Sequence, residues 1–365
     1  MKGVSAVVAV VLILMITVAI GAMAYLWSTG IFTIASEEST KEVEETIEDI
    51  SGTPHLAIDN YDANKIYIRN DGNAILSDFS LFIDDELITS VAPDTLGVGD
   101  TGVVLYSPYV KGGKDKSKIK IISKEGASAL DYEYLDGFCS DDSIVLCMSF
   151  EEEDGTFKDD STYGNDGTWH DNSVAQGYYG VTGKIGKGIL ANGSSNEFHH
   201  DGDYVMINKD ESLLPQTVSA FVWAKLGEDE SGNILGRHKY VSPNWVGGYR
   251  IFYQGVVYVY IGETDNSPQL SITCGDLKTD EWTHIGFIYD GDRLTCYNNG
   301  EIANSTVASG KIVYDSGAHG IIVGAANTGG MGNRFPAFSY IDEVFIGNRA
   351  FTDEEIQLLY ESGLE

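Results

Sequence analysis

Hydrophobic positions divide the chain into three regimes. From Val4 the residues are apolar almost without interruption to Trp27, and no charge occurs between positions 4 and 36. As a helix, residues 4–27 would rise roughly 35 Å, enough to cross a bilayer core. The segment is expected to enter a membrane as the apolar part of a long N-terminal α-helix covering residues 4–52. Beyond the break at Ser28, Thr29 and Gly30 the pattern turns polar. Glu37, Glu38, Glu42, Glu44, Glu45, Glu48 and Asp49 surround Val43, Ile47 and Ile50, which recur at helical spacing, and Gly52 and Pro54 close this acidic stalk.

From position 55 the apolar period shortens to two. Residues 56–58, 65–69, 79–83, 103–106 and 118–122 are strand-like, with turn formers at 70–73 and 84–86 between them. This pattern predicts a small antiparallel, immunoglobulin-like β-sandwich over residues 53–137. The remainder, 138–365, is Gly- and aromatic-rich and strand-patterned, with one convincing helix at 352–362. Residues 252–261 are aromatic or β-branched on both faces, as in a sheet packed inside a two-sheet sandwich, and Asp290-Gly291 joins two strand patterns as a hairpin turn. The expected fold class is mainly β with a long N-terminal α-helix, a small sandwich and then a large jelly roll.

Length agrees with two domains, since 365 residues exceed what one core usually serves. Lys+Arg number 23 against 55 Asp+Glu, a formal charge of -32, which repels nucleic acid and anionic membrane surfaces. A nucleic-acid partner is therefore not expected. The four cysteines form two sequence-local couples, Cys139 with Cys147 and Cys274 with Cys296. In an exported chain these read as disulfides. Free core thiols are the alternative, and a zinc site would prefer tighter pairs with histidine nearby.

Three fates compete for the N-terminus: a signal peptide cut after Ala22-Met23-Ala24, a permanent anchor, or a leader cut at the start of the apolar run. Lys2-Gly3-Val4-Ser5-Ala6-Val7-Val8-Ala9-Val10 resembles the start of archaeal type IV pilins. That resemblance implies cleavage between Gly3 and Val4, leaving residues 1–3 as the prepilin leader. Val8 stands where bacterial pilins usually carry Glu, which points to the archaeal branch. Tyr67-Ile68-Arg69-Asn70-Asp71-Gly72 is similar to the β domains that follow in archaeal pilins and archaellins.

The C-terminal segments resemble, in order, the concanavalin A-like laminin-G jelly roll. Ile144-Val145-Leu146-Cys147-Met148 looks like its first strand, and Asp160-Ser161-Thr162-Tyr163-Gly164-Asn165-Asp166-Gly167-Thr168 like its Asp-Ser-rich turn. Gly202-Asp203-Tyr204, Glu281-Trp282-Thr283-His284 and Ile341-Asp342-Glu343-Val344 continue the match. Domains of this type often bind calcium and sometimes glycans, so calcium is the one cofactor the resemblance allows, with Asp160, Asp203 and Asp342 as the candidate oxygen donors. The competing role for each is a turn-forming hydrogen bond. Trp245, Tyr249 and Tyr178 are aromatics that could stack on sugar rings or plug loops.

Catalysis is not expected, because no Glu-x-Asp-x-Glu strand occurs and His199-His200 has no nucleophile motif beside it. Asn192 and Asn304 open Asn-x-Ser/Thr sequons in expected surface loops and are the glycosylation candidates. Together these features lead to an archaeal type IV pilin-like subunit of an extracellular filament, inserted in the cytoplasmic membrane before assembly. Its partners would be other copies or related pilins, held through the N-terminal helix, together with the prepilin peptidase and assembly machinery. A surface glycan or protein would be its ligand. The alternative is a single-pass, membrane-anchored surface binding protein that forms no filament.

Overall fold

A computed structural model of the chain describes residues 53–110, 116–135, 137–171, 177–191, 203–226, 232–241, 244–262, 270–314, 320–325 and 339–364. These residues are β-structure almost throughout. The expected class, mainly β with a long N-terminal helix, is corrected: among the described residues the only α-helix is the ten-residue Asp353–Ser362, and no helix is long and apolar enough to cross a membrane. Residues 4–52, for which the long helix was expected, lie outside the described residues. Apolar run length measures burial and not conformation. The run is crowded with Val and Ile, which are strand formers as readily as helix formers.

Residues 53–135 build two four-stranded antiparallel sheets around one core. One has the order Leu56–Asp62, Lys65–Asn70, Thr101–Tyr106, Ser90–Val91; the other has Ser128–Glu133, Ser117–Ile122, Ser80–Ile83, Glu86–Ile88. The period-two pattern sets their faces. Ile66 and Ile68 point into the core with Leu81, Val104, Ile119 and Ile121, while Tyr67, Lys118 and Lys120 lie on the outer faces.

From residue 144 onward two larger antiparallel sheets form a laminin-G/concanavalin A-like jelly roll. The first runs Tyr178–Thr182, Lys187–Ala191, Ser339–Gly347, Val218–Leu226, Thr283–Tyr289, Arg293–Asn298, Glu301–Val307, with Ile144–Met148 also paired to Ser339–Gly347. The second runs Thr156–Phe157, Gly167–His170, Tyr204–Ile207, Ile321–Val323, Gly232–Val241, Asn244–Tyr253, Val257–Ile261, Leu270–Thr273. The residues expected to be one strand at 252–261 fall on two, turned at Gly255, whose φ of 72° suits a residue without Cβ.

Val218–Leu226 is apolar on both sides because both sides are covered. Val218, Ala220, Val222, Ala224 and Leu226 face the main core between the sheets, whereas Phe221 packs beneath the C-terminal helix with Phe351, Ile356 and Leu359. That helix starts at a capping box, in which the Thr352 hydroxyl accepts from the Glu355 N–H and the Glu355 carboxylate accepts from the Thr352 N–H at 2.9 Å. Arg349 grips the buried Glu355 carboxylate with two nitrogens, each at 2.6 Å.

Both cysteine couples are disulfides, each with Cα atoms 5.7 Å apart. Cys274–Cys296 ties the end of the second sheet to the first sheet inside the main core. Cys139–Cys147 ties the connecting segment to the first jelly-roll strand. Beside it the small sandwich docks. The buried Tyr109 hydroxyl accepts from Trp223 Nε1 and donates to the Leu359 carbonyl, both at 3.1 Å, and its ring lies 5.8 Å from that of Phe345.

Candidate functional site

The jelly roll presents three places where polar chemistry is concentrated. The first is its set of carboxylate loop anchors. In the Asp-Ser-rich turn the hub is Asp159, one residue before the expected Asp160. One Asp159 oxygen accepts from the Cys147 and Ser161 N–H groups at 2.8 and 3.0 Å, and the other from Ser161 Oγ and the Asn165 N–H at 2.6 and 2.7 Å. Nothing in the doublet Asp159-Asp160 distinguishes the two, because only the register of the turn decides which carboxylate points inward. Asp160 instead lines a cleft between the two domains.

Asp342 is fully buried at a bulge in the pairing of Ser339–Gly347 with Val218–Leu226. Its Oδ2 accepts from the Lys184 and Ile185 N–H groups at 2.8 and 3.0 Å, and Oδ1 from the Glu343 N–H at 2.9 Å. Burial raises its pKa above the usual carboxylate range against the pull of these donors, with Glu151 adding to the rise. Asp203, also fully buried, accepts from the Gly177 N–H. Calcium fits this arrangement poorly. Asp160, Asp203 and Asp342 do not converge, both Asp342 oxygens and one of Asp203 are committed to backbone donors, and the described residues contain no group of three or more potential metal ligands.

The second place is that cleft, about 560 Å³, walled by Tyr109, Tyr134 and Leu135 of the small sandwich and by Ser149, Glu151, Asp160 and Glu343 of the jelly roll. Glu343, which lines it, and Phe150, a core residue between the lining Ser149 and Glu151, hold φ values of 49° and 53°, a left-handed conformation unusual for side chains of this size.

The third is the outer face of the second sheet. Alternation sends Tyr249, Ile251, Val257, Val259 and Ile261 into the core, and turns Arg250, Phe252, Tyr258 and Tyr260 to the opposite side. There the Arg250 guanidinium lies 4.1 Å from the centre of the Tyr260 ring and 5.1 Å from that of Phe252. Tyr258 and Tyr260 stack at 5.9 Å. Further along the sheet, the half-buried His170 and Tyr204 rings lie parallel at 4.9 Å. Desolvation lowers the Arg250 pKa to about 10, so it stays cationic at neutral pH, and burial beside Arg250 holds the His238 imidazole well below its ordinary value and so neutral.

Of the aromatics named from sequence as sugar platforms, Tyr178 is 57% exposed on an edge strand, Tyr249 is a core residue at 1%, and the Trp245 side chain lies outside the described residues. The residues that sequence reasoning missed are Arg250, Phe252, Tyr258 and Tyr260. The alternation of small aliphatic and aromatic residues in Val257–Ile261 was the signal. Asn304 is exposed on the edge strand Glu301–Val307 and not in a loop. Gly3, Val4 and Asn192 lie outside the described residues.

Residues 199–357 match the family model described as the concanavalin A-like lectin/glucanases superfamily. No curated protein matches the chain. Among solved structures, the binding domain of botulinum neurotoxin DC in complex with SialylT is similar at 14% identity and a TM-score of 0.44, over 61% of this chain and 52% of that one. Domain 4 of AbnA, an extracellular arabinanase from Geobacillus stearothermophilus, in complex with arabinotriose, is similar at 20% identity and a TM-score of 0.44, over 60% of this chain and 98% of that one. The match thus spans about half of the neurotoxin chain. Likenesses of this size do not bear on what this chain binds.

Proposed function

We propose that the jelly roll is a carbohydrate-binding module, displayed outside the cell and without catalytic activity. The observation that carries this reading is the aromatic row of Phe252, Tyr258 and Tyr260 on the outer face of the second sheet, packed against the buried Arg250 guanidinium. Flat ring faces accept the C–H faces of sugars, and the Arg250 guanidinium, buried against the Phe252 and Tyr260 rings, holds them in position. Tyr258 and Tyr260 sit on a strand whose other face is locked in the core, so their rings are placed in advance of binding. Titration of the full chain against a panel of neutral and sialylated oligosaccharides is the test. Tyr260→Ala should lower affinity by about tenfold, as expected for losing one stacking platform of roughly 1.4 kcal/mol. Binding that is unchanged in both Tyr258→Ala and Tyr260→Ala would overturn the assignment.

We further propose that this module is carried by a type IV pilin-like subunit. Lys2-Gly3-Val4 and the apolar residues that follow support this. The prepilin peptidase would release residues 1–3, and the assembly machinery would bring subunits together through their apolar N-terminal segments, which gain by leaving water and lipid for one another. Sequencing the mature N-terminus tests the processing. A chain starting at Val4 supports it, and one starting at Tyr25 or retaining Met1 overturns it. Electron microscopy of surface fibres decoded with an antibody to the jelly roll tests the filament.

A further inference from the structure

The small sandwich carries an outer face that nothing in the described chain covers. In the sheet formed by Ser128–Glu133, Ser117–Ile122, Ser80–Ile83 and Glu86–Ile88, the pairing register lines up Leu130, Lys120, Phe82 and Leu87 in one row across all four strands. Leu87 is 66% exposed and Leu130 56%. Tyr132, on the same side as Leu130 and opposite Lys118, is 53% exposed. A contiguous exposed apolar face of this kind marks an interaction surface. Its charge is the reverse of the chain's. In a protein of net charge -32, the row holds Lys120 and no acid, and among the described residues Lys120 has no ion-pair partner, whereas Lys118 pairs with Asp85 and Lys116 with Glu133.

We infer that this face docks the acidic segment 37–50 of a second copy of the chain. That segment matches the face in both respects: seven carboxylates against the single Lys41 complement the unpaired Lys120, and Val43, Ile47 and Ile50 interleaved among them provide apolar partners for Leu87, Phe82 and Leu130. It immediately precedes the small sandwich, so one copy's segment on the next copy's face links subunits in series. The inference rests on the self-association proposed above and adds where, beyond the apolar N-terminal residues, neighbours touch.

The test uses two full-length chains with different affinity tags, one carrying Leu130→Cys and the other Ile47→Cys; all four native cysteines are already in disulfides. After mixing and mild oxidation, a disulfide-linked heterodimer should form. It should be absent when Leu130→Cys is replaced by Val307→Cys, a more exposed position (72%) on the jelly-roll edge. Lys120→Glu should abolish most of the cross-link, and adding Glu44→Lys and Glu48→Lys in the partner should restore it. Equal yields with the Val307 control, or no loss with Lys120→Glu, overturn the inference. So does a chain carrying both cysteines that closes only on itself. Fibres seen without the cross-link would leave the filament reading standing and remove this contact; the cross-link without fibres would do the converse.

Discussion

His284 offers a direct measurement of how completely the C-terminal helix seals the outer face of the first sheet. Its ring is fully buried, lies 5.1 Å from Trp223 and 5.5 Å from Phe221, and among the described residues has no hydrogen-bond partner on either nitrogen. Desolvation lowers its pKa to about 3. Since the folded value lies below the unfolded value near 6.5, the neutral ring contributes stability that is complete above pH 6.5 and is lost as pH falls toward 3. At pH 5.0, about 1.5 units below the unfolded value at 1.36 kcal/mol each, the loss relative to pH 8.0 is about 2 kcal/mol. His284→Phe keeps an aromatic ring between Phe221 and Trp223 and removes the titration. Unfolding by urea, followed by tryptophan fluorescence at pH 8.0, 6.5 and 5.0, should show wild type losing about 2 kcal/mol more than the variant between pH 8.0 and 5.0, most of it below 6.5. The other titrating groups, including His238 with the same sign and Asp342 with the opposite one, are common to both proteins and cancel. Curves that stay parallel would refute the sealed-box reasoning.

Replacing Cys274 and Cys296 by alanine opens a loop of sequence separation 22 that spans the two sheets, and chain entropy alone makes this cost about 3 kcal/mol, readable as a lower urea midpoint. Arg349→Ala strands the Glu355 carboxylate, 4% exposed, without its bidentate partner, and should destabilise the helix end by about 3 kcal/mol; Arg349→Ala with Glu355→Gln should recover part of that loss. Far-ultraviolet and near-ultraviolet circular dichroism melts check both.

Local pattern was sufficient wherever one residue type could satisfy only one environment. The five runs expected as strands in the small sandwich are strands, because strict alternation such as Ile66 and Ile68 against Tyr67 leaves one way to bury the aliphatics. The helix expected at 352–362 is Asp353–Ser362, and the Thr352–Glu355 capping pair that opens it lies within four residues of sequence. The candidate site was less legible. Asp203 and Asp342 stood out as acids in family-like segments, yet their partners, Gly177 and Lys184 with Ile185, are 26 and 158 positions away. The platform of Arg250, Phe252, Tyr258 and Tyr260 was hidden because residues 252–261 read as a single strand apolar on both faces. The turn at Gly255 folds it in two and brings Arg250 opposite Tyr260.

By itself the sequence determined the two β-regions, the pairing of its cysteines by proximity, the acidic character and the capped helix, since each depends on period, spacing or composition within a few residues. Tertiary structure decided which of two adjacent aspartates anchors a turn, which face of Val257–Ile261 lies outside the core, and where Tyr109 docks one domain on the other. Those outcomes turn on register and on contacts between residues far apart in the chain, and a one-residue shift of a strand exchanges its buried and exposed faces without altering the local pattern.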